Sequence, residues 1–436
     1  MPSKESKKAA LDMISFISAS PTAAHAVETI SSRLDKAGFR RLEEGEAWRI
    51  VPHDQFYVIR SYSSIIAVRV GSAQPEEAGF RIVGAHTDFP GFRLKPNGFY
   101  SKNGYIQLGV EVYGGPILHT WTDRDLGLAG KLVVSDDDKP LRVLLFALNR
   151  PVCRIPNLAP HIEPDKKKDG LKLNEQEHLP PVIGIGDEKA LEEKPVLRLI
   201  ADSAGVDPAK VSTYSIEIFD VQPGVLGGLD EEFIFVRSFD NLSSCHAGVE
   251  ALTKVSGETP FTQVLALFDN EEVGSTTMQG ARSGFLDSVL ERLCLSSDNP
   301  REAFFRALTN SLAVSADGAH AVNPNYPEAH EPRHHPILNG GPVIKVNAQE
   351  RYTTQIEALE RIKRCAARQD VPLQTFVART DVGTGSTIGP MTSSRLGIRS
   401  VDIGSPMISM HSCREMAGTD DQLSMIKLLT EHFSPA

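Results

Sequence analysis

The apolar runs of this chain end on imidazoles and carboxylates. FRIVGAHTD reaches His86, FIFVRSFDN reaches Asp240, QVLALFDNEE reaches Glu271 and Glu272, and SLAVSADGAH reaches Asp317. A last piece, MISMHSCREM, follows SVDIG and delivers His411. After Glu232 these runs alternate with helix-like stretches, which predicts an α/β fold with a mixed, mostly parallel sheet and helices on both faces. Open sheets of this kind gather their ligands beyond the carboxyl ends of the strands. The pattern that sets the fold class therefore also predicts where the chemistry lies.

At 436 residues the chain exceeds the roughly 250 to 300 at which one core stops growing, so two domains are expected. Residues 1–90 and 233–436 read as one catalytic domain, and 91–232 as an inserted β-rich domain of short segments such as GYIQLGVEVYGG and KLVVSDDDKP. Near the start, Glu5 to Phe39 predict two helices, the second opening at Ser20-Pro21 as N-cap and N1 proline. QFYVIRSYSSIIAVRVG predicts a hairpin. The stretch from His161 to Glu188 is polar and loop-like, and its run Lys166, Lys167, Lys168 reads as a solvated loop.

A net charge of -10 argues against a nucleic-acid surface, which needs clustered cations without an acidic excess. Five scattered cysteines with no CxxC pair predict reduced thiols rather than a disulfide framework. The N-terminus MPSKESKKAALDMISFISAS lacks the unbroken apolar stretch of a signal peptide. No segment reaches the ~18 uncharged apolar residues of a membrane span. A cytoplasmic protein that binds neither nucleic acid nor membrane is the expectation.

Singly, each site residue has a plain structural reading. An Asp after a strand is commonly a helix N-cap, a lone His is commonly structural, and Glu271-Glu272 could complement a helix dipole. Together, His86, Asp240, Glu272 or Glu271, Asp317 and His411 make a donor set of two imidazoles and three carboxylates that suits zinc. Two ions ~3.5 to 4 Å apart need a shared carboxylate, and with one shared each ion receives three protein ligands. Adjacent glutamates cannot point the same way, so one can ligate while the other serves as general base to a water. Asp88 could orient the His86 ring or be an ordinary turn residue; the sequence leaves both open.

The stretches HTDFPGFRLKP, SFDNLSSCHAGVEAL, FDNEEVGS, SADGAHAVNPNY, GGPVIKVNAQERY and MHSCREM resemble the successive signatures of the aspartyl aminopeptidase family (M18), with the match running from SPTAAH near the N-terminus to MHSCREM. The resemblance implies a zinc-peptidase-like fold and a two-zinc (Zn2+) aminopeptidase that removes N-terminal Asp or Glu from peptides. It implies that Asp240 bridges the metals, that His86 and Asp317 complete one position and Glu272 and His411 the other, and that Glu271 is the base. It further implies substrate roles for His320 and for Lys345 as the partner of the acidic side chain, and brings His161 to the active site from a neighbouring subunit, to steady the oxyanion or to touch metal. Without it, Lys345 reads as a surface lysine on an edge strand and His161 as a loop histidine. The family also implies a homo-oligomer, a tetrahedral dodecamer with the inserted β-rich domain in its contacts. Cys413 stands where an aliphatic residue is commoner in the family; a buried thiol behaves as a small hydrophobe.

Other classes fit less well. VGTGSTIG lacks GxGxxG spacing and a following GK[ST], and Ser386 lacks the GxSxG elbow. The remaining alternatives are a two-metal aminopeptidase or deacylase of other specificity, or a non-catalytic self-assembling particle.

Overall fold

Val264, Ala266 and Phe268 alternate with Leu265 and Leu267 along one strand, and all five are buried. Successive strand residues face opposite ways, so the sheet they belong to is covered on both faces. The computed structural model describes residues 1–136, 139–162 and 170–435. The chain divides into two units: Met1–Asp88 with Gly224–Met410 and Glu415–Ala436, and Phe89–Pro223 with His411–Arg414. The run Lys166 to Lys168 lies outside the described residues.

In the first unit the described residues form a sheet of nine strands. Their order is Arg40–Leu42, Gln55–Arg60, Ser64–Arg69, Thr262–Phe268, Phe80–His86, Leu312–Ala316, Arg399–Gly404, Val343–Val346 and Gln374–Val377. The centre, from Thr262–Phe268 to Arg399–Gly404, is parallel, with antiparallel pairing on either side. This is the mixed, mostly parallel sheet that the strand-helix alternation predicts. One face packs Phe80, Ile82, Ala266 and Phe268 against Phe285 and Leu290 of helix Phe285–Leu293 and Phe304 of helix Pro300–Thr309. Helices Phe239–Lys254 and Thr419–Phe433 cover the other face, where a side chain at Gly248 would run into Leu265.

Two sequence expectations are corrected here. The second helix is Ala23–Lys36, with Thr22 rather than Ser20 as its N-cap. Ser20 is occupied in closing the preceding helix, Lys4–Ser18, its hydroxyl donating to the Phe16 carbonyl at 2.8 Å. The run FIFV, in turn, is not a strand of the large sheet. Phe233–Val236 belongs to a five-stranded sheet ordered Val225–Gly227, Phe233–Val236, Glu415–Gly418, Pro406–Ile408, Ala319–His320. Its partner Glu415–Gly418 lies far downstream, and pairing at that separation leaves no mark in local periodicity.

The second unit holds a six-stranded antiparallel sheet ordered Lys139–Cys153, Leu126–Asp136, Val211–Asp220, Gly91–Lys102, Tyr105–Tyr113, Val182–Ile185. Its core gathers Phe92, Trp121, Leu128, Phe146 and Ile216, with Ile200 from a helix, Pro195–Ser203, that no helical periodicity announced. Cys413 is buried in this core, in the place of a small hydrophobe. All five cysteines are buried and none is joined in a disulfide, and among the described residues no helix is long and apolar enough to cross a membrane.

Two buried histidines make the first unit sensitive to acid. His432, on the helix against the sheet, donates from Nε2 to the Ile82 carbonyl at 3.2 Å and is pushed down to about 3 by burial, then by Arg81 and Arg361. Burial, with Arg237, lowers His25 to about 4. Both folded values lie below the ordinary value of 6.5, so the unfolded chain binds protons first as pH falls. Stability should then fall below about pH 6.5 by up to ~1.4 kcal/mol per pH unit for each histidine. Urea midpoints of wild type and His432→Gln between pH 7 and pH 4 measure this. Parallel curves for the two proteins would remove His432 as a cause.

Candidate metal centre

Strand Phe80–His86 ends by placing the His86 ring, 1% exposed, among carboxylates. Its Nδ1 donates to the Asp88 carbonyl at 3.0 Å, which leaves the Nε2 lone pair available. Nε2 lies 3.5 Å from both Asp240 Oδ1 and Asp317 Oδ1. Asp240 lies in the first turn of helix Phe239–Lys254, where it and Asn241 stand off helical geometry and the peptide between them is cis. Its N–H is held by Glu415 Oε2 at 3.2 Å. Asp317 follows strand Leu312–Ala316, and Gly404 of the next strand passes so close that a Cβ there would collide with the Asp317 carbonyl.

Glu271 and Glu272 come from a turn. After Thr262–Phe268 the chain reverses through Asn270 in the left-handed region (φ 64°), a conformation Asn tolerates. The Asp88 carboxylate accepts both following N–H groups, Oδ1 from Glu271 and Oδ2 from Glu272, each at 3.1 Å. Asp88 thus meets the His86 ring through its backbone and a remote turn through its side chain. Its carbonyl fixes the His86 ring, and its carboxylate clamps the turn that carries the glutamates.

The electrostatics of this cluster are those of crowded anions. Burial pushes Glu271 up to about 8; His86 opposes the shift, and Asp317, Asp88 and Asp240 add to it. Glu272 is raised well above the ordinary range by burial and by Asp240. His86 is raised despite its burial, because Asp240, Asp317 and Asp88 all favour the imidazolium. Asp317 is held below the carboxylate range against its own burial, by Lys345 and His86. Five carboxylates thus face one imidazole and one ammonium, and buried anions in such surplus must take up protons or a cation. The donors fit a metal: the ligand atoms of His86, Asp240 and Asp317 lie within 4.8 Å of one another, as do those of His86, Glu271 and Glu272.

Lys345 is the departure from the plain reading of its sequence. It is 3% exposed, on strand Val343–Val346, which is flanked on both sides. Nζ donates to the Gly318 carbonyl at 2.9 Å, lies 3.5 Å from Asp317 Oδ2 and stands 5.2 Å from the centre of the Tyr352 ring. His320 is exposed, its ring 5.6 Å from that of Phe376. His161 is exposed and His411 has a positive φ (69°), both in the second unit, where His411 Nδ1 donates to the Gly115 carbonyl at 3.0 Å.

Another group of metal-type donors, Asp12, His246 and Glu250, belongs to a structural network. Arg33 already pairs with Asp12 at 2.8 Å and Glu250 at 2.9 Å, and His246 Nε2 lies 2.7 Å from Asp12. Two residues of the centre escaped sequence reading. Glu415, inside MHSCREM, holds the Asp240 N–H. Cys245 donates its thiol to the His86 carbonyl at 3.0 Å. Both act on backbone atoms, which side-chain patterning does not report.

Residues 16–433 match the family model described as Aminopeptidase I zinc metalloprotease (M18). The chain is 44% identical over 422 residues to a protein of Pseudomonas aeruginosa named "Probable M18 family aminopeptidase 2", covering 96% of each. Its fold is similar to that of a chain in the structure of the Ape4 and Nbr1 complex, with TM-score 0.95, 39% identity and coverage of 99% of this chain and 87% of that one. It is also similar to the mApe1 dodecamer of S. cerevisiae, with TM-score 0.85, 30% identity and coverage of 98% and 96%.

Proposed function

The chain belongs to the M18 family of aminopeptidases, which are zinc metalloproteases, and on that premise we propose that it releases N-terminal Asp or Glu from peptides using a pair of zinc ions at this centre. The observation that carries the reading is a buried ammonium, Lys345, 3.5 Å from Asp317, which itself belongs to the donor group around His86. In this reading Asp240 is the shared ligand, His86 and Asp317 complete one position, and Glu272 and His411 the other. His411 takes its place from the likeness of MHSCREM to the family's signature.

Zinc bound there supplies Lewis acidity toward the scissile carbonyl and makes water more acidic. The rest is the work of the chain. A Glu271 carboxylate oxygen takes a proton from the attacking water and returns it to the departing amine nitrogen. Asp88 holds both the His86 ring and the N–H groups of the glutamate turn. Lys345 has three N–H donors, of which the Gly318 carbonyl takes one, and it recognises the carboxylate of an acidic first residue. His320 contacts substrate, and His161 is delivered by a neighbouring copy to steady the developing oxyanion. Residues 91–232 make the contacts of a tetrahedral dodecamer in the cytoplasm; of this, the dodecameric mApe1 relative supports the homo-oligomer of twelve copies.

A hydrolysis panel on chelated and zinc-restored protein, with peptides beginning in Asp, Glu or Leu and with blocked termini, tests these points. Activity should vanish on chelation, return with zinc and favour acidic, unblocked termini. Lys345→Ala should cut kcat/KM on Asp peptides roughly 30-fold, the worth of a charged hydrogen bond, and change Leu peptides little. A uniform loss would reject its selectivity role, and unchanged kinetics for His161→Phe in the same panel would take His161 out of the mechanism. Blocked peptides cleaved as fast as free ones would point to a deacylase or endopeptidase instead.

A further inference from the structure

The middle of strand Arg399–Gly404 carries a carboxylate that the chemistry above does not use. Asp402 is 0% exposed. Its Oδ2 accepts the Thr353 N–H at 2.6 Å and its Oδ1 accepts the Thr387 hydroxyl at 2.8 Å. Its own N–H donates to the Thr354 hydroxyl at 3.3 Å. A β-branched or apolar residue would satisfy such a central strand position more cheaply, because a buried carboxylate is costly unless hydrogen bonds hold it. The site is built around it. Gly389, at the start of helix Ile388–Leu396, leaves the space that a Cβ would take from Asp402 Oδ2 and Thr353.

The two segments that Asp402 ties down meet at one place. Thr353 follows Tyr352, and Thr387 closes the loop that carries Thr384; the Tyr352 hydroxyl and Thr384 Oγ1 are hydrogen-bonded at 2.6 Å. The Tyr352 ring is the wall 5.2 Å from Lys345 Nζ, and the Thr354 hydroxyl donates to the Lys345 carbonyl at 2.7 Å. The carboxylate therefore fixes the aromatic wall beside the lysine and the loop braced against that wall, while the backbone N–H of Asp402, through Thr354, ties in the backbone of the lysine.

We propose that Asp402 is a specificity-positioning residue: it holds Tyr352 and the 384–387 loop so that the Lys345 ammonium is presented to an acidic first residue of the substrate. Asp402 touches neither substrate nor reacting atoms. It acts through hydrogen-bond geometry, and its deletion should loosen recognition of the acidic side chain while leaving the bond-breaking groups in place. The inference rests on Lys345 being the acid-recognising group.

The test compares KM and kcat for peptides beginning with Asp and with Leu in zinc-loaded wild type, Asp402→Ala, Asp402→Asn and Thr387→Val. Asp402→Ala is expected to raise the KM for Asp peptides about tenfold relative to Leu peptides, with kcat moving much less. Asparagine can accept the Thr353 N–H and donate to Thr387, so Asp402→Asn should restore the KM ratio to within about threefold of wild type. Thr387→Val removes one anchor and should shift the ratio in the same direction as alanine by about threefold; it decides the matter if Asp402→Ala does not fold. An equal KM change for Asp and Leu peptides, or a loss confined to kcat, overturns the positioning role. A wild type with no preference for Asp over Leu overturns the acid-recognition reading itself, and the proposal with it.

Discussion

Glu271→Gln is expected to keep its fold and its zinc and to lose turnover by about 10³-fold, within the range that a general base contributes. Glutamine preserves the volume of the side chain and a carbonyl oxygen, but it cannot take a proton at neutral pH. The backbone contact that fixes the turn runs from the residue 271 N–H to Asp88 Oδ1 at 3.1 Å, and the substitution does not touch it. Kinetics of the purified variant, with metal analysis of the same preparation, give the answer. A drop in kcat at unchanged zinc content and little-changed KM is the expected pattern. Turnover like that of wild type would dismiss Glu271 as the base, and loss of zinc together with activity would make it a ligand.

The residues of this centre were legible because strand ends are local. FRIVGAH and QVLALF are each a run of apolar residues ending where the polar group begins, and both lie side by side in the parallel centre of the sheet. Periodicity reports such facts directly. It could not report that FIFV joins a different sheet, since its antiparallel partner Glu415–Gly418 is remote in the chain. Nor could it show that Lys345 is buried. In VIKV an alternating pattern turns the lysine outward, but strand Val343–Val346 is flanked on both sides and Lys345 finds its partners in Asp317 and Gly318. Charge compensation among residues from different strands decided its place, and a single sequence read by period contains no record of it.

The same limit explains why positioning groups were missed while the clustered ionisable groups were named. His86, Asp240 and Asp317 announce themselves as ionisable residues at strand ends. Glu415, Cys245 and Asp402 act on backbone N–H, carbonyl and hydroxyl groups of segments remote from them in the chain. Asp88 lies between the two classes. Its closeness to His86 suggested a link to the ring, and the structure adds the clamp on Glu271 and Glu272.

Asp240→Asn should have the widest effect of any single change at the centre. If Asp240 is the ligand common to both positions, removing one of its two anionic oxygens weakens both ions at once, so zinc should fall from about two per chain to well below one and activity should disappear. His86→Ala should instead weaken one position and leave about one zinc per chain. Asp240 is 3% exposed and its N–H is held by Glu415, so the amide side chain has little room to move to a compensating geometry. Asp12→Asn is the control: it lies in the cluster that Arg33 already neutralises, and it should leave zinc content unchanged. Metal analysis after exhaustive dialysis, alongside thermal unfolding with and without added zinc, separates the cases. Zinc that raises the unfolding temperature of wild type should fail to do so for Asp240→Asn, because stabilisation follows ligand occupancy. An Asp240→Asn protein that retains one tightly held ion would show that the two positions share a different carboxylate, and Glu272, half-buried on the adjacent turn, would be the next candidate.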